Sequence, residues 1–305
     1  MRPVLVELSL PFVGAISIPT YMTAMTVGIV VGVWLLRRWG ERAGLRGDQL
    51  VDVAFVMVLA GLVGARLMAV LSTGQLMDFV YLCTDPSQVP APLAPVSHCT
   101  ADAQCGADYL CDAATNRCHP PRDCLAALKF WQPGLVFYGG LLAALPAGAY
   151  LARRKGLPLL HVADLAAPAL MLGLALGRLG CFSEGCCYGA ETQAMVGVTF
   201  PGHDSPRHPS QLYESGAALT LFAILRYAIT PRKRSHGEVL GYLLVLYGAV
   251  RFALELLRAD PRGGLGFLST SQIVSIPVFV FGLWLVRRSR RQRAARGDET
   301  GPGAP

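Results

Sequence analysis

The sequence predicts an all-α integral membrane protein: seven transmembrane helices, amino terminus outside, carboxyl terminus cytoplasmic, and a disulfide-rich outer loop. Composition is the first observation behind this, because 53% of the 305 residues are hydrophobic and only 15% are charged, against roughly a quarter charged in soluble domains. The second is a series of apolar runs of about 20 residues, the length that crosses a bilayer core. The third is where the lysines and arginines fall, since short loops rich in them stay on the cytoplasmic side.

Residues 8–36, 130–152 and 263–286 carry no charge. Residues 53–77 carry only Arg66, 165–183 only Arg178, 209–227 only Glu214 and Arg226, and 239–257 only Arg251 and Glu255. Basic clusters follow alternate runs: Arg37, Arg38, Arg42 and Arg46 after the first, Arg153, Arg154 and Lys155 after the third, Arg232, Lys233 and Arg234 after the fifth, and Arg287 to Arg296 after the seventh. That alternation sets the orientation. The net charge of +7 suits an anionic cytoplasmic leaflet and calls for no nucleic acid. The first run is too long for a signal peptide and lacks a basic start. The chain divides into 1–82 with two helices, a cysteine-rich insert at 83–124, helices three to seven in 125–288 with an outer arm at 184–207, and a basic tail at 289–305.

Tyr21 opens the first span, either as an interfacial aromatic or as a hydroxyl reaching a headgroup. In the second, Gly61, Gly64 and Ala65 precede Arg66; small residues let helices approach closely and wrap that arginine in protein, the alternative being an arginine that snorkels to the interface. Cys83, Cys99, Cys105, Cys111, Cys118 and Cys124 then crowd a polar segment. An even set outside the membrane reads as three disulfides, with fifteen possible connectivities. A zinc site there would want paired C-x-x-C spacings, which are missing.

Span three opens on Phe137-Tyr138-Gly139-Gly140. The glycines permit close backbone approach, and Tyr138 is either a belt tyrosine or a phenol aimed into a cavity. Span four ends in Gly177-Arg178-Leu179-Gly180-Cys181-Phe182-Ser183-Glu184-Gly185-Cys186-Cys187. Cys181 with Cys186 or Cys187 reads as a small outer disulfide that leaves one thiol over; a nucleophilic or metal-binding cluster is the rival. Pro209 suits a first helical turn, and Glu214 is favourable near a helix amino terminus. His208 stands just before that helix, placed to accept a proton or bind an anion. In span six, Tyr247, Arg251 and Glu255 recur every fourth residue and form one stripe. No metal and no cofactor is expected.

Ionisable residues inside membrane spans mark functional sites by default. Arg66, Arg178 and Arg251 are therefore expected to face one cavity and hold a phosphate, which guanidinium groups match in a bidentate fork. The anion that already lives in a bilayer is a phospholipid headgroup.

The ordered set Tyr21, Gly64-Ala65-Arg66, Phe137-Tyr138-Gly139-Gly140, Gly177-Arg178-Leu179-Gly180, His208-Pro209-Ser210-Gln211-Leu212-Tyr213-Glu214 and Tyr247-Gly248-Ala249-Val250-Arg251-Phe252 resembles the bacterial prolipoprotein diacylglyceryl transferases. The resemblance implies seven spans in the inner (cytoplasmic) membrane. It also implies transfer of the diacylglyceryl group of phosphatidylglycerol to the lipobox cysteine of prolipoprotein signal peptides, with a thioether formed and glycerol-1-phosphate released. Arg178 and Arg251 would then bind phosphate and stabilise the leaving group, with Tyr138 and His208 also in catalytic positions. Tyr21, Arg66, Gly139, Gly140, Gly180, Gln211, Glu214, Tyr247 and Glu255 would line the substrate pocket.

Two departures stand out. The family's F-H-G-G has Tyr138 for its histidine, and its G-N-F-x-N-G-E reads Gly180-Cys181-Phe182-Ser183-Glu184-Gly185-Cys186 here. A phenol, with a pKa of about 10, is a weak base for a thiol of about 8.5. Rival readings keep the fold and lipid but change the acceptor, or reduce the protein to a phospholipid-binding membrane protein.

Overall fold

The computed structural model describes residues 4–10, 14–72, 76–89, 99–105, 109–112, 115–126, 129, 136–258, 264–265 and 268–298. Helices dominate: α1 Thr20–Arg42, α2 Gly47–Ser72, α3 Leu76–Thr84, α4 Asp102–Cys105, α5 Phe137–Arg154, α6 Leu159–Glu184, α7 Ser210–Ala223, α8 Glu238–Glu255 and α9 Thr270–Asp298. A π-helical stretch, Ile224–Ile229, continues α7. Among the described residues, five segments are long and apolar enough to cross a membrane: Thr20–Arg42, Gly47–Leu71, Leu159–Glu184, Ser210–Arg232 and Thr270–Gln292. α5 and α8 occupy the third and sixth apolar runs. The first part of the third run, residues 130–135, lies outside the described residues.

The all-α expectation needs one correction. Three short antiparallel ladders are present, pairing β1 Val4–Leu10 with β2 Gly14–Pro19, β3 Leu110–Asp112 with β4 Arg117–His119, and β5 Gly264–Leu265 with β6 Leu268–Ser269. The first charge-free run is thus not one helix. Its opening half alternates apolar and polar side chains at Leu8, Ser9 and Leu10, a strand period. Pro19, extended at φ −67°, ψ 135°, marks the point where helix begins, because a proline supplies no N–H and suits a helix start but not its interior. The last run divides similarly, with helix only from Thr270.

The chain forms two compact units. One joins Met1–Val51 to Gly156–Pro305, and the other is Asp52–Lys155. In the first, α1 lies on α6, α6 on α7 and α8 on α9. Glycines set the approach: a Cβ added at Gly28 of α1 would stand 3.3 Å from the Gly173 carbonyl oxygen of α6. Ala167, Met171, Leu221, Leu225, Val239 and Leu243 form the apolar centre of this unit. In the second unit, α2 and α5 meet at Gly64 and Gly139, where either backbone leaves no room for a methyl group on the other.

Large apolar side chains cover the exterior, and several charged and amide side chains are buried. Val30, Phe55, Val63, Leu142 and Leu170 point outward, while Arg66, Asp164, Gln211, Glu214, Glu255 and Gln272 are buried. An apolar exterior, with the charged and amide groups of the spans turned inward, is what lipid as solvent selects. Asp164 shows how the interior is satisfied. This α6 carboxylate accepts the amides of Gly237 and Leu240, each at 2.9 Å, and ion-pairs Lys233 at 3.4 Å, so it serves the open amino terminus of α8. A lone carboxylate just ahead of the fourth apolar run was the trace it left in the sequence.

The cysteine-rich insert closes as Cys83–Cys124, Cys99–Cys111 and Cys105–Cys118. Cys99, Cys105 and Cys118 are buried with Tyr109 and Cys111 against them, a core made largely of sulfur.

Candidate active site

α6 stops where Gly185 takes φ +76°, the left-handed turn that glycine adopts without strain. The Cys186 amide returns to the Cys181 carbonyl at 3.2 Å, and the chain folds back onto the start of α7. There the polar run Ser210, Gln211, Glu214 and Ser215 does most of the holding. Ser210 Oγ donates to the Cys187 carbonyl at 2.9 Å, Gln211 Nε2 to the Cys186 carbonyl at 2.6 Å, and Ser215 Oγ to the Ala175 carbonyl at 3.0 Å. Gln211 is fully buried.

Glu214, 2% exposed, follows Gln211 by three residues. Its Oε1 lies 3.0 Å from Arg178 Nη2 and accepts a hydrogen bond from the Tyr247 hydroxyl at 3.4 Å. The sequence reading gave Glu214 to the helix terminus and, through the family resemblance, to the substrate pocket, without pairing it to Arg178. The structure instead pairs them, because α6 and α7 pack side by side. Tyr247 lies within electrostatic reach of both Arg178 and Arg251.

Arg251 Nη2 stands 2.8 Å from Glu255 Oε2 and donates to Ser271 Oγ at 2.9 Å. The pair expected along α8 is therefore formed by distance. It is not aligned as a hydrogen bond: Arg251 Nη1 and Glu255 Oε2 are both buried without a hydrogen-bond partner among the described residues. Ser271, on α9, reads in the sequence only as part of a packing helix, since a serine at a helix start carries no mark of its partner.

Tyr21, at the start of α1, lies within electrostatic reach of Arg178, Cys181, Cys186 and Cys187. Gly180 makes this possible, for a Cβ there would stand 3.0 Å from the Ala24 Cβ and 3.2 Å from the Tyr21 Cα. His208 is half-buried; its Nδ1 is 3.2 Å from the Tyr213 hydroxyl, and its backbone pairs with Gly189 and Ala190. Cys181, Cys186 and Cys187 are free thiols, so the small disulfide expected among them is not formed. Their sulfurs lie within 4.8 Å of one another. Hydrogen bonding from the Cys181 and Cys186 thiols holds the Cys187 thiol below its ordinary range, against the effect of burial, and Arg178 and Arg258 act in the same direction.

All these residues belong to the first unit. Arg66, Tyr138, Gly139 and Gly140 belong to the second. Arg66 is buried, donates to the Ala126 carbonyl at 2.6 Å and places its guanidinium 5.5 Å from the Phe79 ring centre, so protein wraps it. Tyr138 is half-buried with its ring edge-on to Phe137. Gly139 and Gly140 spend their missing side chains on α2, Gly139 against Gly64 and Met68, Gly140 3.0 Å from the Gly61 carbonyl oxygen by the same measure.

A family model described as prolipoprotein diacylglyceryl transferase matches residues 8–94 and 109–288. The unmatched gap falls inside the cysteine-rich insert. Similar relatives include the phosphatidylglycerol–prolipoprotein diacylglyceryl transferases of Geobacter sulfurreducens, 31% identical over 92% of this chain and 94% of the relative, and of Vibrio atlanticus, 31% identical over 93% and 89%. The enzyme of that name from Solidesulfovibrio magneticus is 42% identical over 56% of this chain and 68% of its own length. With the match running through α1 to α3, through α5 to α8 and into α9, and so through the paired arginines of the first unit, the chain belongs to the prolipoprotein diacylglyceryl transferase family.

Proposed function

We propose that this protein is a transferase of lipoprotein maturation, which moves the diacylglyceryl group of phosphatidylglycerol onto the lipobox cysteine of a prolipoprotein signal peptide. The observation that carries this is the convergence of Arg178, Glu214, Tyr247 and Arg251 from three helices, with Arg251 Nη1 buried and unsatisfied among the described residues. A guanidinium has five donors in a fixed fork, so each arginine keeps donors beyond its carboxylate. A headgroup phosphate is the bilayer-borne acceptor that suits them. As the carbon–oxygen bond breaks, negative charge grows on the departing glycerol phosphate, and preorganised donors stabilise that charge more than the ground state.

In this reading Arg178 and Arg251 hold the phosphate, and Tyr21, Gly180, Gln211, Glu214, Tyr247 and Glu255 shape and brace the pocket. His208 stands at its rim. Arg66, Tyr138, Gly139 and Gly140 come to the site by their place in the family pattern. Seven spans in the inner membrane, with the amino terminus and the disulfide-closed insert on the periplasmic side, follow from the basic clusters and from the oxidising compartment that disulfides need.

Complementation tests the proposal. In cells depleted of their own prolipoprotein transferase, this chain should add diacylglycerol to a reporter lipobox cysteine, read by mass spectrometry. Arg178→Ala should abolish the product, and Tyr138→Phe reports whether the phenol takes part. Membrane-inserted, folded protein that leaves the reporter unmodified overturns the reaction assigned here.

A further inference from the structure

Three thiols in a loop at the end of α6 stand unexplained by phosphate binding. Cys181 is three residues from Arg178 and so shares its helix face. Gly185 turns the chain back, and Cys187 adopts φ +65°, a conformation uncommon outside glycine. Hydrogen bonds from Ser210 and Gln211 to the Cys187 and Cys186 carbonyls hold that turn in place. The result is three sulfurs, all within 4.8 Å of one another.

An odd number of neighbouring thiols has no complete solution in disulfides. Adjacent Cys186 and Cys187 are poor partners, since consecutive Cα atoms lie about 3.8 Å apart and disulfides usually need about 4.4–6.8 Å. Pairing Cys181 with either strands the other. The other six cysteines of the chain are all bridged, whereas these three are not. A single thiophilic cation uses all of them. Tetrahedral zinc with sulfur at about 2.3 Å sets its sulfurs about 3.8 Å apart, a small contraction of the cluster as it stands. Three thiolates around a divalent cation leave one negative charge, and Arg178 and Arg258 lie within electrostatic reach of Cys187 to offset it.

We propose that Cys181, Cys186 and Cys187 form a three-thiolate zinc site whose fourth position receives the acceptor thiol. The second half of this rests on the transferase reading. It answers a chemical need of this chain, where Tyr138 stands at the family's histidine position and the alkylated sulfur must lose its proton. Zinc binding displaces to solvent whatever protons the three cysteines still carry. The acceptor thiol then displaces a water from the fourth position and gives its proton to solvent as well, because a metal-bound thiol is deprotonated outright. The zinc-held sulfur attacks the sp³ glycerol carbon. A carbon–sulfur bond forms, the carbon–oxygen bond to phosphate breaks, and its electron pair leaves on glycerol-1-phosphate beside Arg178. The neutral thioether is a weak ligand and dissociates, and water returns.

Cobalt(II) is the probe. The full chain, purified in detergent, reduced and freed of metal, should take up one cobalt per chain with an ultraviolet thiolate-to-cobalt charge-transfer band, and zinc should bleach that band. C181S/C186S/C187S should lose the band, and each single serine variant, which disturbs the fold less, should weaken it. A lipobox peptide with one cysteine should shift the band, and its serine analogue should not. A missing band, a band that survives in the triple variant, or a disulfide among these three in protein alkylated at lysis overturns the metal site. A band that the peptide thiol leaves unmoved overturns the open position. Transfer activity in protein without the band leaves the transferase reading intact and removes this inference, whereas a normal band in protein that transfers nothing removes the transferase reading and the acceptor role with it.

Discussion

Arg178 of α6 and Glu214 of α7 stand 3.0 Å apart with the carboxylate almost wholly buried, and this pair joins the two most recognisable stretches of the sequence. Gly177-Arg178-Leu179-Gly180 supplies the cation. His208 to Glu214 supplies the anion, the brace on the cysteine loop and, through Glu214, the contact to Tyr247. Removing one member of a buried pair strands a charge, typically at a cost of about 3–5 kcal/mol, while replacing both is far milder; the 20% exposure of the Arg178 side chain puts the expectation nearer the lower end. R178M should therefore lower the melting temperature in detergent, and R178M/E214Q should regain most of the loss. Neither should transfer lipid. A double variant as unstable as the single one would mean that the pair is not the source of the effect.

Helix glycines include some with no room for a methyl group and some with open space around them. G139A and G64A each drive a methyl group into the facing backbone of the α2–α5 contact, and overpacking of this kind costs about 1–3 kcal/mol. Gly177 has nothing within 4 Å of an added Cβ. G177A should fold at least as well as the parent, since alanine is favoured over glycine in a helix by about 1 kcal/mol. Thermal melts separate the two classes; lost activity in a stable G177A would place a ligand against that open face.

Asp164 is predicted to matter for stability alone. D164A leaves the Gly237 and Leu240 amides without their acceptor, about 1–3 kcal/mol for each buried group left unsatisfied. D164N retains one oxygen and should recover part of this. Unfolding measured by intrinsic fluorescence in detergent reads the series, and equal stability of all three proteins would refute the role.

The three disulfides of the insert differ in the chain they close. Cys83–Cys124 spans 41 residues, against 12 for Cys99–Cys111 and 13 for Cys105–Cys118. In the loop-entropy account the longest is worth about 4 kcal/mol and each shorter one about 3 kcal/mol. Peptide mapping without reduction should recover these pairings, and C83S/C124S should destabilise the insert most, read as its rate of proteolysis.

Much of this protein was legible in its residues alone. Apolar runs and basic clusters mark the helices because a bilayer tolerates little else, and the family emerges from short motifs whose residues lie far apart in the chain. The stripe Tyr247, Arg251, Glu255 was readable because a helix makes its own neighbours every fourth residue. The strands at either end were not, since short, mainly apolar stretches beside a long apolar run read as part of it until a proline or a turn divides them. Tertiary structure alone decided which partners meet across helices: Glu214 for Arg178, Ser271 for Arg251, Asp164 for the start of α8, and one pairing of six cysteines out of fifteen possible. Sequence spacing encodes contacts within an element. Contacts between elements depend on how closely two backbones approach, and here glycines, helix ends and a left-handed turn at Gly185 set that distance and gathered three thiols beside an arginine.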